Sequence, residues 1–206
     1  MPEQKQPEPP SRWRHLPNVL SGLRIASIPL IIWLALKHDS MPALIVFLAA
    51  ALTDALDGFV ARRYHWETHF GALLDAIADK LFVLCLMPLL WYYGGVVTVY
   101  SVLVIMRYSL DLSVLPILVA WLKRRFKVAL RPARRLAIGV AFLVLGLGFL
   151  QQVAIEWVPN YTLRGNVIDN LITVASSAGC LLEAWILVTF VPRYWRVARG
   201  KQDTLD

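Results

Sequence analysis

Charged side chains make up only 17% of this 206-residue chain, well short of the roughly 25% usual in soluble globular domains. Acid is the scarcer sign, with 14 Asp and Glu against 21 Lys and Arg. The two cysteines, Cys85 and Cys180, are isolated in apolar sequence, which speaks against both a disulfide framework and a thiolate metal site. They read as small apolar fillers. Residues 1–14 are polar and Pro-rich and lack the apolar centre and cleavage site of a secretory signal. No half of the sequence repeats the other, as the two halves of many transporters do.

What is abundant is apolar sequence. The chain is 58% hydrophobic and carries eight Trp. Apolar runs occupy 19–36, 43–60, 70–93, 96–122, 136–158 and 167–191. Each can cross a ~30 Å hydrocarbon core, which takes roughly 20 helical residues. The runs predict an all-α, integral membrane bundle of six transmembrane helices, with no room for a separate soluble domain. The domain plan is then 1–16 as polar tail and interfacial segment, 17–195 as the transmembrane domain and 196–206 as a cytoplasmic tail. Arg12, Trp13, Arg14 and His15 suit the headgroup region.

Six spans put both termini on one side, with the second–third and fourth–fifth connections. That side receives Arg62 and Arg63, the dense segment from Lys123 to Arg135, and Arg193 to Lys201 in the tail. The other side receives little beyond Lys37 and Arg164. Positive-inside bias therefore predicts a multi-pass protein of the cytoplasmic (inner) membrane, with both termini cytoplasmic. The net charge of +7 is explained by topology and attraction to anionic membrane lipids, without a nucleic-acid partner.

Four aspartates interrupt the second and third runs: Asp54, Asp57, Asp75 and Asp79. An ionised carboxylate at the centre of a spanning helix costs roughly 2.5–3.5 kcal/mol. Something cationic must offset four of them, and the local sequence offers Arg62, Arg63 and Lys80. Asp54 and Asp57 are three apart, Asp75 and Asp79 four apart, so each pair shares one helix face. Facing carboxylate pairs make a cage of hard oxygens suited to Mg²⁺ or Mn²⁺. Gly58, Ala61 and Gly71 allow close backbone approach by a helix or a flat ligand. Metal-bridging oxygens together with a guanidinium describe a diphosphate site.

The frame Asp54-x-x-Asp57-Gly58-x-x-Ala61-Arg62, eight residues, Gly71-x-x-x-Asp75-x-x-x-Asp79 resembles the full signature of the CDP-alcohol phosphatidyltransferase family. The upstream Pro17-Asn18-Val-Leu-Ser21-x-x-Arg24 is similar to the first-helix motif of its bacterial phosphatidylglycerophosphate synthase and cardiolipin synthase branch. The resemblance implies transfer of the phosphatidyl group of CDP-diacylglycerol to an alcohol acceptor, with release of CMP. It implies two divalent cations on Asp54, Asp57 and Asp75, and Asp79 as general base that also touches the second metal. It further implies a CDP-diacylglycerol site lined by Gly58, Ala61, Arg62, Thr68 and Gly71, closed by Pro17 and Asn18, and a homodimer.

The acceptor is less legible. Arg107 and Asp111 lie four apart in the fourth run, either as a mutually neutralising pair or with Arg107 on an acceptor phosphate. Arg134 and Arg135 open the fifth run, as topology charges or further phosphate ligands. These cations favour glycerol 3-phosphate, with phosphatidylglycerol, as in a cardiolipin synthase, as the alternative. Inositol phosphate and serine rank lower. A polytopic cation transporter is a rival from another class, since intramembrane carboxylates mark ion paths. A membrane-embedded prenyl-diphosphate transferase would have two separated aspartate motifs, where only one compound motif stands here. His65 and His69 read as interfacial rather than ligating. Gly139, Gly146, Gly148, Ser176, Ser177 and Gly179 are expected at close helix contacts.

Overall fold

A computed structural model describes residues 16–64, 69–116, 131–158 and 166–198. The described residues form six helices: α1 Leu16–Leu36, α2 Ser40–Tyr64, α3 His69–Tyr92, α4 Thr98–Pro116, α5 Arg131–Trp157 and α6 Asn166–Ala198. Each apolar run of the sequence overlaps one of them, the last six residues of the run 96–122 lying outside the described residues. Three helices are long and apolar enough to cross a membrane, over Val19–Leu36, Ala133–Trp157 and Val167–Thr189. The other three carry several charges, among them Asp54 and Asp57 in α2, Asp75, Asp79 and Lys80 in α3, and Arg107 and Asp111 in α4. The basic stretch Arg12–His15 lies outside the described residues.

Tight helix ends let the chain reverse within a few residues. At the end of α1, Asp39 N–H donates to Leu34 O at 3.0 Å and His38 N–H to Ala35 O at 3.0 Å. His38 takes a φ of 63° to do so. The end of α3 repeats this left-handed cap, with Gly95 N–H on Leu90 O at 2.9 Å and Gly94 N–H on Trp91 O at 3.0 Å. Gly94 has a φ of 73°, which costs a glycine nothing. The start of α2 is capped from a distance, by Glu156 Oε2 accepting the Ser40 N–H at 3.2 Å.

α1 packs on α2 and α3, α3 on α4 and α5, α2 on α5, and α6 on α4 and α5. The core is aromatic at its centre. Phe47 of α2 stacks on Phe82 of α3 at 5.6 Å and meets Phe149 of α5 at 5.2 Å, while Phe82 stacks on Phe142 at 5.6 Å. Such pairs add about 0.5–1.5 kcal/mol each beyond the area they bury. Around the outside, Leu52, Val102, Leu143, Val174, Leu181 and Val188 are all more than half exposed, as a lipid-facing surface requires.

The small residues divide. A methyl at Gly148 would come within 2.9 Å of Leu90, and one at Gly179 would collide with the Tyr100 ring. Gly146 faces Phe47, and Ser176 is fully buried. Two expectations are not met among the described residues: Gly139 has nothing within 4 Å and Ser177 is exposed. Both are exposed on their helices. Of the cysteines, Cys85 is exposed and Cys180 half-buried.

Candidate active site

Two layers of charge lie toward one end of the bundle, opposite the end closed by the Glu156–Ser40 cap. The first joins α1 to α3. Arg24 Nη1 donates to Asp79 Oδ1 at 2.6 Å and to Asp75 Oδ1 at 3.2 Å, and Ser21 Oγ reaches Asp75 Oδ1 at 3.4 Å. Ser21 and Arg24 are three apart on α1, Asp75 and Asp79 four apart on α3, so two helix faces meet over two residues each. The Arg24 side chain is 2% exposed, Asp79 18% and Asp75 46%.

Among the described residues the cation bonded to Asp75 and Asp79 is Arg24, more than 50 residues upstream; the side chains of Arg62 and Arg63 lie outside the described ones, and Lys80 interacts with Asp79 through space. One guanidinium can offset two carboxylates because its N–H groups fan out in a plane. The signal was in the sequence, since Ser21-x-x-Arg24 puts two hydrogen-bond donors on one face of an otherwise apolar helix.

Asp75 and Asp79 are hard-oxygen donors on one helix face, and Asp75 keeps nearly half its side-chain surface exposed. That donor set fits Mg²⁺ or Mn²⁺. Among the described residues, no three His, Cys, Asp or Glu side chains lie close enough to form a metal cluster. Asp54 and Asp57 are on α2 near its C-terminal end, with Gly58, Ala61 and Arg62 following in the same helix. Pro17 and Asn18 open α1 and Gly71 stands in the first turn of α3. The side chains of these residues lie outside the described ones, as do His65 and Thr68 altogether.

The second layer joins α4, α5 and α6. Arg107 Nε pairs with Glu183 Oε2 of α6, and Arg134 Nη2 of α5 pairs with Asp111 Oδ2. Arg107 and Asp111 approach only to 4.0 Å. The i,i+4 pair anticipated from the sequence is therefore the weakest link of the layer, and each member has a closer partner on another helix. Helical spacing could bring Arg107 and Asp111 to one face, but packing chose Glu183 and Arg134. Glu183 was absent from the sequence-level candidates. The Arg107 guanidinium also lies over the Tyr108 ring, 4.2 Å from its centroid. Arg135 is exposed. Lys80 of α3 is within electrostatic range of Asp79 on one side and of Asp111, Arg107 and Arg134 on the other, so it links the two layers.

The family model for CDP-alcohol phosphatidyltransferase matches residues 14–168. Among curated relatives, the CDP-diacylglycerol–glycerol-3-phosphate 3-phosphatidyltransferase of Rickettsia bellii (strain RML369-C) is 38% identical over 96 residues, 45% of this chain and 53% of that protein. The enzyme of the same name from Escherichia coli (strain K12) is 36% identical over 120 residues, 56% of this chain and 65% of that protein. A cardiolipin synthase (CMP-forming) of Oryza sativa subsp. japonica is 44% identical over 90 residues, 40% of this chain and 26% of that protein. The chain thus spans from about a quarter to two thirds of the length of these relatives. No solved structure matches. The match from residue 14 to 168 takes in Ser21, Arg24, all four aspartates, Arg107 and Arg134. The chain belongs to the CDP-alcohol phosphatidyltransferase family.

Proposed function

We propose that the chain transfers the phosphatidyl group of CDP-diacylglycerol to a hydroxyl of glycerol 3-phosphate and releases CMP. In this reading all six helices span the cytoplasmic (inner) membrane, with both termini and the site on the cytoplasmic side. Residues 17–195 form the transmembrane domain between an interfacial tail, 1–16, and a cytoplasmic tail, 196–206, and the protein works as a homodimer. Membership of a transferase family sets aside the transporter alternative.

The observation that carries the reading is the pair of charge layers linked by Lys80. Asp75 and Asp79 suit a metal-bound diphosphate. Arg107 and Arg134 suit the phosphate of an anionic acceptor. Donor and acceptor chemistry thereby lie side by side.

Asp79 accepts the proton of the acceptor hydroxyl as its oxygen attacks the phosphorus that bears diacylglycerol. The bond from that phosphorus to the bridging oxygen of the diphosphate breaks, and CMP carries the oxygen away. Arg24 holds Asp79 and Asp75 in register on α3. Gly58, Ala61, Arg62, Thr68 and Gly71, with Pro17 and Asn18, bind the cytidine diphosphate part of the donor. Two Mg²⁺ or Mn²⁺ ions on Asp54, Asp57, Asp75 and Asp79 supply charge neutralisation of the diphosphate and the departing CMP when bound.

The test is CMP release by purified protein given CDP-diacylglycerol, Mg²⁺ or Mn²⁺ and a panel of acceptors. Release is expected with glycerol 3-phosphate and not with serine. Release with phosphatidylglycerol alone would instead support the second reading, favoured by the match to a cardiolipin synthase. Silence across the panel would sink both.

A further inference from the structure

α4 and α6 each present one face to the bundle interior. On α4 it comprises Tyr100, Val104, Arg107, Tyr108 and Asp111, all buried, at a helical spacing of three to four. On α6 it includes Ser176, Gly179, Glu183 and Ile186, likewise buried. Gly179 lets the Tyr100 ring lie against the α6 backbone, and one turn further along the same face Glu183 pairs with Arg107. The small residue draws the two helices together and the carboxylate then meets the guanidinium.

Glu183 is fully buried in the stretch Cys180-Leu181-Leu182-Glu183-Ala184-Trp185, which is otherwise apolar. A crossing that needed only packing is as stable, or more so, with apolar side chains of similar volume. Lys80, Arg107 and Arg134 meet two carboxylates in this layer, Asp111 and Glu183. Glu183 Oε2 forms an ion pair on the Nε side of Arg107, and neither Nε nor Nη2 of Arg107 has a well-formed hydrogen bond among the described residues. A guanidinium held at Nε has its remaining N–H groups aimed in one direction.

We infer that Glu183 is a positioning residue: it holds Arg107 from α6 so that the guanidinium presents its outer N–H groups to the acceptor phosphate. The inference rests on the acceptor-site reading given under Proposed function. Without Glu183 the guanidinium keeps its charge but loses its orientation, so acceptor binding weakens while the donor side, on α1 and α3, is unaffected.

The full-length protein in lipid nanodiscs, assayed with CDP-diacylglycerol, Mg²⁺ and glycerol 3-phosphate, tests this through four variants. Arg107→Ala is expected to raise the KM for glycerol 3-phosphate by about 10-fold or more. Glu183→Gln should raise the same KM by about 5- to 10-fold, with the KM for CDP-diacylglycerol unchanged. Glu183→Asp, which keeps the charge but shortens the reach, should fall between Glu183→Gln and wild type. In the double variant, Glu183→Gln should add nothing to Arg107→Ala, because a residue acting through another is silent once that one is gone. An unchanged acceptor KM in Arg107→Ala overturns the acceptor-site reading itself. A raised KM there, with Glu183→Gln either at wild-type KM or fully additive in the double variant, overturns the role of Glu183 and leaves that reading intact. Equal rises in both KM values for Glu183→Gln also overturn it, since they mark a bundle disturbed as a whole. Should Glu183→Gln not fold, Glu183→Asp decides, and a wild-type acceptor KM in that protein overturns the inference.

Discussion

The aspartate layer and the Arg107–Glu183 layer are both ionic and sit toward the same end of the bundle, but they differ in how far they are closed. Asp75 is 46% exposed and Asp79 18%, whereas Arg107 and Glu183 are at 3% and 1%. In the first layer only the cation is sequestered, and its carboxylates remain open on one side. In the second both partners are enclosed. An open carboxylate can exchange its partner for a metal or a proton without a change in packing. A sealed ion pair can change partner only if a helix moves, so its natural use is to fix direction. The protein therefore sets an open ionic layer beside an enclosed one, although the residue types in the two are nearly the same.

That contrast can be broken first at the open layer, where the largest effects are expected. Chelation of divalent cations should abolish CMP release, and turnover that survives it would sink the two-cation mechanism. Asp54→Asn or Asp75→Asn should lose metal binding together with activity. Asp79→Asn should lose turnover by about 10²- to 10⁴-fold while retaining much of its affinity for CDP-diacylglycerol. Isothermal titration that found the donor lost in Asp79→Asn and kept in Asp75→Asn would reverse the assignment.

Arg24 tests whether the countercharge of the open layer is structural. Removing one side of a buried pair costs about 3–5 kcal/mol when the other charge is left enclosed. Here water reaches Asp75 and partly Asp79, so Arg24→Ala should cost about 2–3 kcal/mol, toward the lower end of that range or below it. Thermal unfolding in detergent should show a clear fall in Tm. An unchanged Tm would mean that other groups hold the carboxylates.

A step smaller is the packing that seats the sealed layer. Gly179→Ala pushes a methyl into the Tyr100 ring, an overpacking worth about 1–3 kcal/mol. Since Gly179 lies one turn from Glu183, the acceptor KM should rise along with the loss of stability. Gly139→Ala is the matched control, with open space around it, and should raise helix stability slightly or leave it alone. If both glycines respond alike, the close approach at Tyr100 is not what seats α6.

The smallest effect is expected at Arg135. It is exposed and turned about 100° around α5 from Arg134, so Arg135→Ala should leave acceptor KM within twofold. Arg134→Ala, which strips Asp111 of its partner, should raise it by about 10-fold. Equal effects at the two positions would return both to a topological role.

Features that depend on spacing along one helix were legible before any packing was known. The apolar runs became helices, Asp75 and Asp79 fell on one face four residues apart, and the signature around them named the family. Which charges meet between helices follows from how the helices pack. Arg24 on Asp75 and Asp79, Glu183 on Arg107 and Arg134 on Asp111 join residues 51, 55, 76 and 23 positions apart. A helix of 3.6 residues per turn states its own faces, but which face it turns to a neighbour depends on contacts such as Gly179 against Tyr100 and Gly148 against Leu90. Gly139 and Ser177 belong to the same small-residue vocabulary but are exposed, with no close helix contact among the described residues. A buried charge then pairs with whatever ion that packing brings within reach.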